Sequence, residues 1–150
     1  MSQLYRSCVI AVIVDEEGRI LVGERSDKPG VWQMPQGGVE KAESAEQALF
    51  RELREEIGTS EVDVVEQLED AISYDFPAEI LDNSKNKYIG QSQVWFMVKL
   101  KQHATLDLTK SDGEFLDLKW QEPAAVIAGI VSWKKEAYYE GLTKFNLIRD

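Results

Sequence analysis

The pattern of apolar and polar positions is typical of a mixed α/β protein. The longest apolar run, Cys8 to Val14, is rich in β-branched residues and predicts a strand. A polar turn at 15–18 separates it from a second apolar segment, 19–24, so the two are expected to form a β-hairpin. Further strands are predicted at 62–68, 71–76, 93–100 and 115–120, with a short extended piece at 32–34. The polar segment 77–91 is predicted to be a long loop.

The clearest helix is predicted from Ser44 to Ile57. Ser44 and Gln47 match a capping box, in which each residue satisfies a backbone donor that the helix start leaves free. Glu46 suits the positive N-terminal end of the helix, and Gly58 stands where a C-terminal cap belongs.

Two more helices are predicted in the C-terminal third. Pro123 suits the first turn of a short helix through Ile127. Ser132 is expected to cap a last helix from Trp133 to about Phe145. The inward-facing residues of that helix are expected to be Trp133, Ala137, Tyr138, Leu142 and Phe145. The order of strands, helix, strands and helices predicts an α/β fold with a largely non-sequential sheet.

Composition excludes several classes of protein. The 150 residues suit one domain, 1–150, and 43% apolar with 29% charged residues is ordinary for a globular protein. No apolar run approaches the roughly 20 residues of a membrane span, and 1–6 lack a signal-peptide core, so we expect a cytoplasmic protein with no membrane partner. The single cysteine, Cys8, excludes an internal disulfide, and the single histidine, His103, disfavours a Ser-His-Asp triad.

The net charge is −10. Non-specific binding to nucleic acid needs a surplus of Lys and Arg, so a DNA partner is not expected. Acidity does not exclude an enzyme that acts on phosphates, because bound divalent cations reverse the local charge.

Three glutamates share one side of the helix at 44–57. Glu52, Glu55 and Glu56 occupy positions i, i+3 and i+4 and fall within an arc of about 100°. Like charges at this spacing destabilise a bare helix by a few tenths of a kcal/mol. Hard divalent cations such as Mg²⁺ prefer carboxylate oxygens, so the pattern favours a metal site. The alternative is a solvated acidic face paired with neighbouring arginines.

The context of these glutamates resembles the Nudix box. Gly37, five residues, Glu43, seven residues and then Arg51-Glu52-Leu53-Arg54-Glu55-Glu56-Ile57-Gly58 match it over 37–59. Ala42, where a glycine is common, and Thr59, where an aliphatic residue is common, depart from the pattern without removing a ligand. The chain is identified as a member of the Nudix hydrolase family. The resemblance implies an α/β/α sandwich around a mixed sheet, with the box as a loop–helix–loop.

The resemblance also implies a site for Mg²⁺ or Mn²⁺. The implied metal-binding residues are Gly37, through its carbonyl oxygen, and Glu52, Glu55, Glu56 and Glu114. Arg51, a further catalytic residue, would orient the helix together with Glu43. The metal would lower the pKa of a bound water and offset the charge of the phosphate chain. Glu55 and Glu114 both remain candidates for the carboxylate that accepts the proton of this water. An ordinary strand-edge glutamate is the alternative for Glu114.

Further segments, both within the box and around it, resemble bacterial RNA pyrophosphohydrolases and their diadenosine polyphosphate hydrolase relatives. These segments are 5–6, 32–38, 44–48, 89–96, 114–115 with Trp120, and 131–134. The implied reaction converts a 5′-triphosphate RNA end to a 5′-monophosphate, an end-processing step in mRNA decay. A dinucleoside polyphosphate or nucleoside triphosphate hydrolase is the main alternative. A nucleotide sensor without catalysis is disfavoured, because every box glutamate is present. A homodimer is left open.

Substrate contacts are expected from basic, amide and aromatic side chains. The candidates are Arg6, Arg25, Gln36, Lys85, Lys87, Tyr88, Gln93, Trp133 and Lys134. Arginine can pair with phosphate or stack on a base, and tryptophan can stack on a nucleobase. The alternatives are surface solvation for the charged residues and a core position for Trp133.

Overall fold

Two β-sheets and four α-helices are found in the part of the chain that the structure, a computed structural model, describes, residues 4–83 and 87–148. The strands are β1 (Tyr5–Ile13), β2 (Ile20–Arg25), β3 (Trp32–Gln33), β4 (Gln36–Gly38), β5 (Val62–Gln67), β6 (Ile72–Asp75), β7 (Gly90–Leu100) and β8 (Phe115–Gln121). The helices are α1 (Ala45–Ile57), α2 (Ala78–Asn83), α3 (Pro123–Gly129) and α4 (Lys135–Lys144). Within these residues, no helix combines the length and the apolar character needed to cross a membrane.

The larger sheet is mixed. Its order is β4-β1-β7-β5, and β6 also pairs with β7. Strands β1 and β7 run parallel with Val9 opposite Val94, while the other pairs are antiparallel. The second sheet, β3-β2-β8, is antiparallel throughout. Strand order therefore differs from chain order, as the sequence predicts.

Strand β1 is an interior strand of the larger sheet, and from Cys8 onward it is buried on both faces. Val9, Ala11 and Ile13 pack with α1 in one apolar cluster. Ile10 and Val12, which point the other way, pack with residues of α3 and α4 in a second cluster. Side chains that alternate between two covered faces explain why the run is continuously apolar. Helices on both sides of the sheet confirm the predicted α/β/α sandwich.

The predicted hairpin of 8–14 with 19–24 is wrong. A single bridge joins Val14 to Ile20, and Asp15 N donates to Arg19 O at 3.0 Å. Beyond this turn β1 continues in the larger sheet and β2 in the smaller one. The buried parts of the two strands, Cys8–Ile13 and Ile20–Gly23, pair along their length with strands of different sheets. The local turn signal does not contain this information.

Other predicted boundaries differ in detail. The segment 77–91 is not a single loop, because α2 forms within it and β7 begins at Gly90. Ser132 does not cap the last helix; it begins a 3₁₀ turn, Ser132–Lys134, that has no side-chain cap. The inward-facing residues predicted for the last helix are buried except for Trp133, which precedes α4 and is half-buried.

Candidate active site

Helix α1 holds its glutamates in a defined rotational position because both of its ends are fixed. Gln47 N donates to Ser44 Oγ at 3.1 Å, and Ser44 N donates to Gln47 Oε1 at 2.9 Å, which completes the predicted capping box. At the other end Gly58 has a left-handed φ of 79° and caps the helix. With its apolar stripe against the sheet, α1 turns Glu52 and Glu56 toward β4.

Three carboxylates from two distant segments form one cluster. One oxygen from each of Glu52, Glu56 and Glu114 lies within 4.8 Å of the other two. Glu114 directly precedes β8, and its carbonyl oxygen accepts a hydrogen bond from Ser26 N at 2.9 Å. Glu52 and Glu56 are buried, whereas Glu114 is exposed. The cluster is therefore an acidic site that is open to solvent on one side.

Burial shifts the protonation equilibria of the two helix glutamates. It is the main reason that the pKa of Glu56 lies well above its usual value, and the nearby carboxylates of Glu114 and Glu52 raise it further. The N–H of Gln36 donates to Glu56 Oε1 at 2.9 Å and acts in the opposite direction. Burial also raises the pKa of Glu52, while Arg51 opposes that shift. A cation at this site would offset the buried negative charge.

Glu55 lies outside this cluster. Its side chain is 33% exposed and accepts a hydrogen bond from Arg51 Nη1 at 3.3 Å. The backbone of Gly37, in contrast, lies directly against the Glu52 carboxylate, since a Cβ added to this glycine would overlap it. The structure therefore brings the predicted residues Gly37, Glu52, Glu56 and Glu114 together and leaves Glu55 beside them.

Arg51 connects the loop before α1 to the carboxylates. Its guanidinium donates to Glu43 through Nε and Nη2, and Nη2 also donates to the carbonyl oxygen of Gly38 at 2.7 Å. Its Nη1 donates to Glu52 Oε1 at 2.8 Å. One half-buried arginine thus fixes the orientation of a cluster carboxylate relative to β4.

A cleft of about 560 Å³ opens beside the cluster. Its charged lining residues are Arg6, Arg25, Asp27, Lys28, Glu52, Glu114 and Lys134. Arg25 forms two hydrogen bonds with Asp27, at 2.9 and 2.6 Å. The guanidinium of Arg6 lies against the backbone of Gly38, where a Cβ would overlap it. Basic groups next to an acidic cluster suit an anionic chain that is bound together with cations.

One end of the cleft is aromatic. Trp133 packs against Tyr74 and Phe76, with ring centroids 5.5 and 5.8 Å away. Phe76 and Trp133 both line the cleft. The Tyr74 hydroxyl donates to the side-chain carbonyl of Gln91, another lining residue, so the amide of Gln91 is held in one orientation. This end offers apolar surface and a fixed polar group to a ligand.

Comparison of the sequence with models of protein families gives a match to the NUDIX domain over residues 4–141. The chain belongs to the NUDIX domain family. It is 39% identical over 145 residues to an RNA pyrophosphohydrolase of Campylobacter jejuni subsp. doylei, an alignment that covers 94% of this chain and 92% of the relative. It is 38% identical over 147 residues to an RNA pyrophosphohydrolase of Wolbachia pipientis subsp. Culex pipiens, covering 96% and 91%.

The Nudix fold is also found by comparison of structures. The E. coli dihydroneopterin triphosphate pyrophosphohydrolase superimposes with a TM-score of 0.73 and 23% sequence identity. The match covers 95% of this chain and 99% of that protein. At this level of identity the likeness shows the fold alone.

The predicted substrate residues of this Nudix protein fall into three groups. Arg6, Arg25, Gln36, Trp133 and Lys134 line the cleft. Gln93 is fully buried behind it and donates from Nε2 to Gln36 Oε1 at 2.7 Å. Lys87 and Tyr88 contact each other and are absent from the described lining, and Lys85 lies outside the described residues.

Several lining residues are missed by sequence reasoning. They are Ser26, Asp27, Lys28, Gln33, Gly38, Phe76, Ile80, Gln91 and Phe115. The sequence could have indicated some of them. Asp27 and Lys28 follow the predicted residue Arg25 closely in the chain. Gln91 shares a face of β7 with the predicted residue Gln93, because side chains alternate along a strand. The others come from separate segments that only the fold brings together.

The two departures from the Nudix box have different consequences. Ala42 adopts a φ of 66°, a left-handed conformation that favours glycine, which explains the usual glycine at this position. Thr59 is buried, and its Oγ1 accepts a hydrogen bond from Glu61 N at 3.1 Å. Neither residue belongs to the carboxylate cluster.

Proposed function

We propose that this Nudix protein is a metal-dependent pyrophosphohydrolase that converts 5′-triphosphate RNA ends to 5′-monophosphates. The observation that carries the proposal is a three-carboxylate cluster beside a basic cleft, in a chain 38–39% identical over almost its full length to RNA pyrophosphohydrolases. Hydrolysis of a phosphoric anhydride needs charge neutralisation along the phosphate chain, and this arrangement supplies it.

The donor set fits Mg²⁺ or Mn²⁺. Glu52, Glu56 and Glu114 each offer one oxygen at a mutual spacing of at most 4.8 Å, and all three donors are the hard oxygens that these cations prefer. When bound, the metal supplies Lewis acidity toward phosphate oxygens and lowers the pKa of a coordinated water. Arg51 keeps Glu52 in position through its hydrogen bond at 2.8 Å.

The basic residues of the cleft bind the phosphate chain. Arg6, Arg25, Lys28 and Lys134 lie along the same cleft as Glu52 and Glu114, so oxygens of one polyphosphate can reach both the cations and the arginines. The Arg25 guanidinium is already held in place by Asp27, which lowers the entropy lost on binding.

A base next to the triphosphate binds at the aromatic end of the cleft. Trp133 and Phe76 provide apolar ring surface there, and the Gln91 amide provides a fixed polar contact. The proton of the attacking water goes to a carboxylate that binds no metal. Because Glu114 is assigned to the metal, the remaining candidate is Glu55, which lies outside the three-carboxylate cluster.

The substrate is tested by comparing turnover of three compounds with Mg²⁺: a 5′-triphosphate RNA, diadenosine tetraphosphate and a nucleoside triphosphate. We expect the highest kcat/KM on the RNA, with a 5′-monophosphate RNA as product. A higher kcat/KM on diadenosine tetraphosphate or the nucleoside triphosphate would reassign the substrate. Binding of all three without turnover would indicate a sensor. Glu56→Gln, assayed in parallel, identifies turnover that comes from a contaminating enzyme.

Three further predictions accompany this function and are also proposals. The protein acts in the cytoplasm, its role is RNA 5′-end processing in mRNA decay, and a homodimer is one possible assembly. Fractionation of cells, comparison of RNA 5′ ends with and without the protein, and light scattering test them separately.

A further inference from the structure

Lys134 is the buried lysine of the cleft. It ends the 3₁₀ turn Ser132–Lys134, its residue is 5% exposed, and it lines the same cleft as Arg6 and Arg25. Among the described residues, no carboxylate forms an ion pair with its ammonium group; the contact found for Nζ is the ring of Trp133, 5.1 Å from the centroid.

The surroundings of Lys134 are cationic. Arg25 faces it from the end of β2. Lys28 faces it from the loop that follows, together with Asp27, which is already engaged by Arg25. Cys8 faces it from β1. Burial, followed by the two cations, lowers the pKa of Lys134 to about 8. At pH 7.5 such an amine is uncharged far more often than an ordinary lysine with a pKa near 10.4.

We propose that Lys134 is a site of acylation by acyl phosphates, small metabolites that carry an acyl group on a phosphate. The cleft combines the two features that this reaction requires. Arg6, Arg25 and Lys28 provide a binding place for the phosphate, and the Lys134 amine lines the same cavity. The inference does not require that the protein hydrolyse RNA.

The chemistry needs no further reagent. The lone pair of the uncharged Nζ attacks the acyl carbon, an N–C bond forms, and the C–O bond to phosphate breaks. Inorganic phosphate leaves with that electron pair, and the amine proton passes to solvent. The neighbouring cations stabilise the charge on the leaving phosphate. The product is a neutral amide, which removes one positive charge from the cleft and so weakens binding of phosphate ligands.

The test uses the intact protein and acetyl phosphate at pH 7.5, with the acetylation rate of each lysine measured by peptide mass spectrometry. We expect Lys134 to react at least 10-fold faster than the exposed Lys87 and Lys110, with saturation by acetyl phosphate and protection by inorganic pyrophosphate. A Lys134 rate no higher than that of the exposed lysines would overturn the proposal. No RNA is present, so failure of the proposed hydrolase activity would not affect the result.

Two controls separate phosphate binding from general reactivity of the amine. N-hydroxysuccinimidyl acetate carries no phosphate, so its reaction with Lys134 should show no saturation. Lys28→Gln, a change in an exposed loop, should lower the acetyl phosphate rate at Lys134 at least threefold, while Lys110→Gln should leave it unchanged. Equal rates in both variants and the wild type, or equal saturation with both donors, would overturn the phosphate-directed mechanism.

Discussion

The guanidinium of Arg51 and the carboxylate of Glu43 form a two-point ion pair, with Nε···Oε2 at 2.8 Å and Nη2···Oε1 at 2.9 Å. The pair joins α1 to the loop that precedes it. The hydrogen bonds from Arg51 hold the pKa of Glu43 at about 2, and those of Glu43 raise the pKa of Arg51. Since Arg51 also holds Glu52, the ion pair positions a carboxylate of the cluster from a distance.

Glu43→Gln should therefore impair the metal site. We expect a loss of about 10-fold or more in metal affinity or turnover, because partners of metal ligands commonly contribute that much. Metal titrations monitored by turnover provide the measurement. Glu40→Gln is the matched control, since Glu40 is 70% exposed and its nearest oxygen is 3.9 Å from Arg51. Equal losses in the two variants would contradict the positioning role of Glu43.

The same variant has a predicted pH signature. Because the folded pKa of Glu43 lies below its usual value of 4.5, the ion pair stabilises the fold above about pH 4.5, and this contribution is lost as pH falls toward 2. Wild type should unfold at higher urea than Glu43→Gln at pH 7, and the difference should shrink on acidification. A difference that is constant with pH would be inconsistent with this ion pair.

Ala42→Gly should stabilise the protein. Ala42 has a φ of 66°, where a Cβ is disfavoured by roughly 1–2 kcal/mol. The greater freedom of glycine in the unfolded chain offsets about 0.4–1 kcal/mol of this. We expect a net gain of about 0.5–1 kcal/mol in urea unfolding. Ala125→Gly is the control. Ala125 is an exposed residue of α3, so this change should lower the free energy of unfolding by about 0.5–1 kcal/mol. Destabilisation by both changes would refute the strain at Ala42.

Gly37→Ala should reduce activity far more than it reduces stability. The new methyl group would overlap the Glu52 carboxylate and displace it from the cluster. We expect turnover to fall at least about 10-fold, in line with the sensitivity of metal sites to small displacements. Gly129→Ala is the control, because no atom lies near a Cβ there. Wild-type turnover in Gly37→Ala would show that the backbone of β4 tolerates the extra group.

Glu56→Gln should abolish most turnover and alter the response to metal. Loss of a charged ligand is expected to lower turnover about 100-fold or more. Without metal, a buried carboxyl with a raised pKa stabilises less as pH rises above about 4.5, so in chelator the variant should melt higher than wild type near pH 8.

Metal should stabilise the wild type and not Glu56→Gln. A cation present at 100 times its Kd adds about 2.7 kcal/mol to the stability of the state that binds it. Melting curves with Mg²⁺ or Mn²⁺ and with chelator give the comparison. A wild-type curve that does not move, or an equal shift in the variant, would argue against the ligand assignment.

Trp133→Ala should weaken turnover of triphosphate RNA more than turnover of a nucleoside triphosphate. Loss of the ring on which a base stacks lowers the binding free energy by about 1–3 kcal/mol, or roughly 5- to 150-fold in affinity for RNA. Trp120→Ala, a half-buried tryptophan outside the cleft, controls for lost packing. Equal losses on both substrates in Trp133→Ala would indicate that Trp133 packs against Tyr74 and Phe76 without stacking on a base.

Local signals in the sequence determined the elements and the register of the acidic helix. The Ser44–Gln47 capping box and Gly58 act within a few residues, so the ends of α1 could be predicted without knowledge of the fold. The spacing of Glu52 and Glu56 follows from helix geometry alone. The apolar, β-branched run of β1 likewise predicted a strand.

Only the tertiary structure decided which distant residues meet. Glu114 joins Glu52 and Glu56 because β8 pairs with β2, a contact across most of the chain that leaves no periodic signal. The separation of β1 and β2 into two sheets depends on which layers cover them, so the turn between them predicted a false hairpin. The surroundings of Lys134 also depend on the fold, because burial and the charges of Arg25 and Lys28 are properties of the assembled cleft.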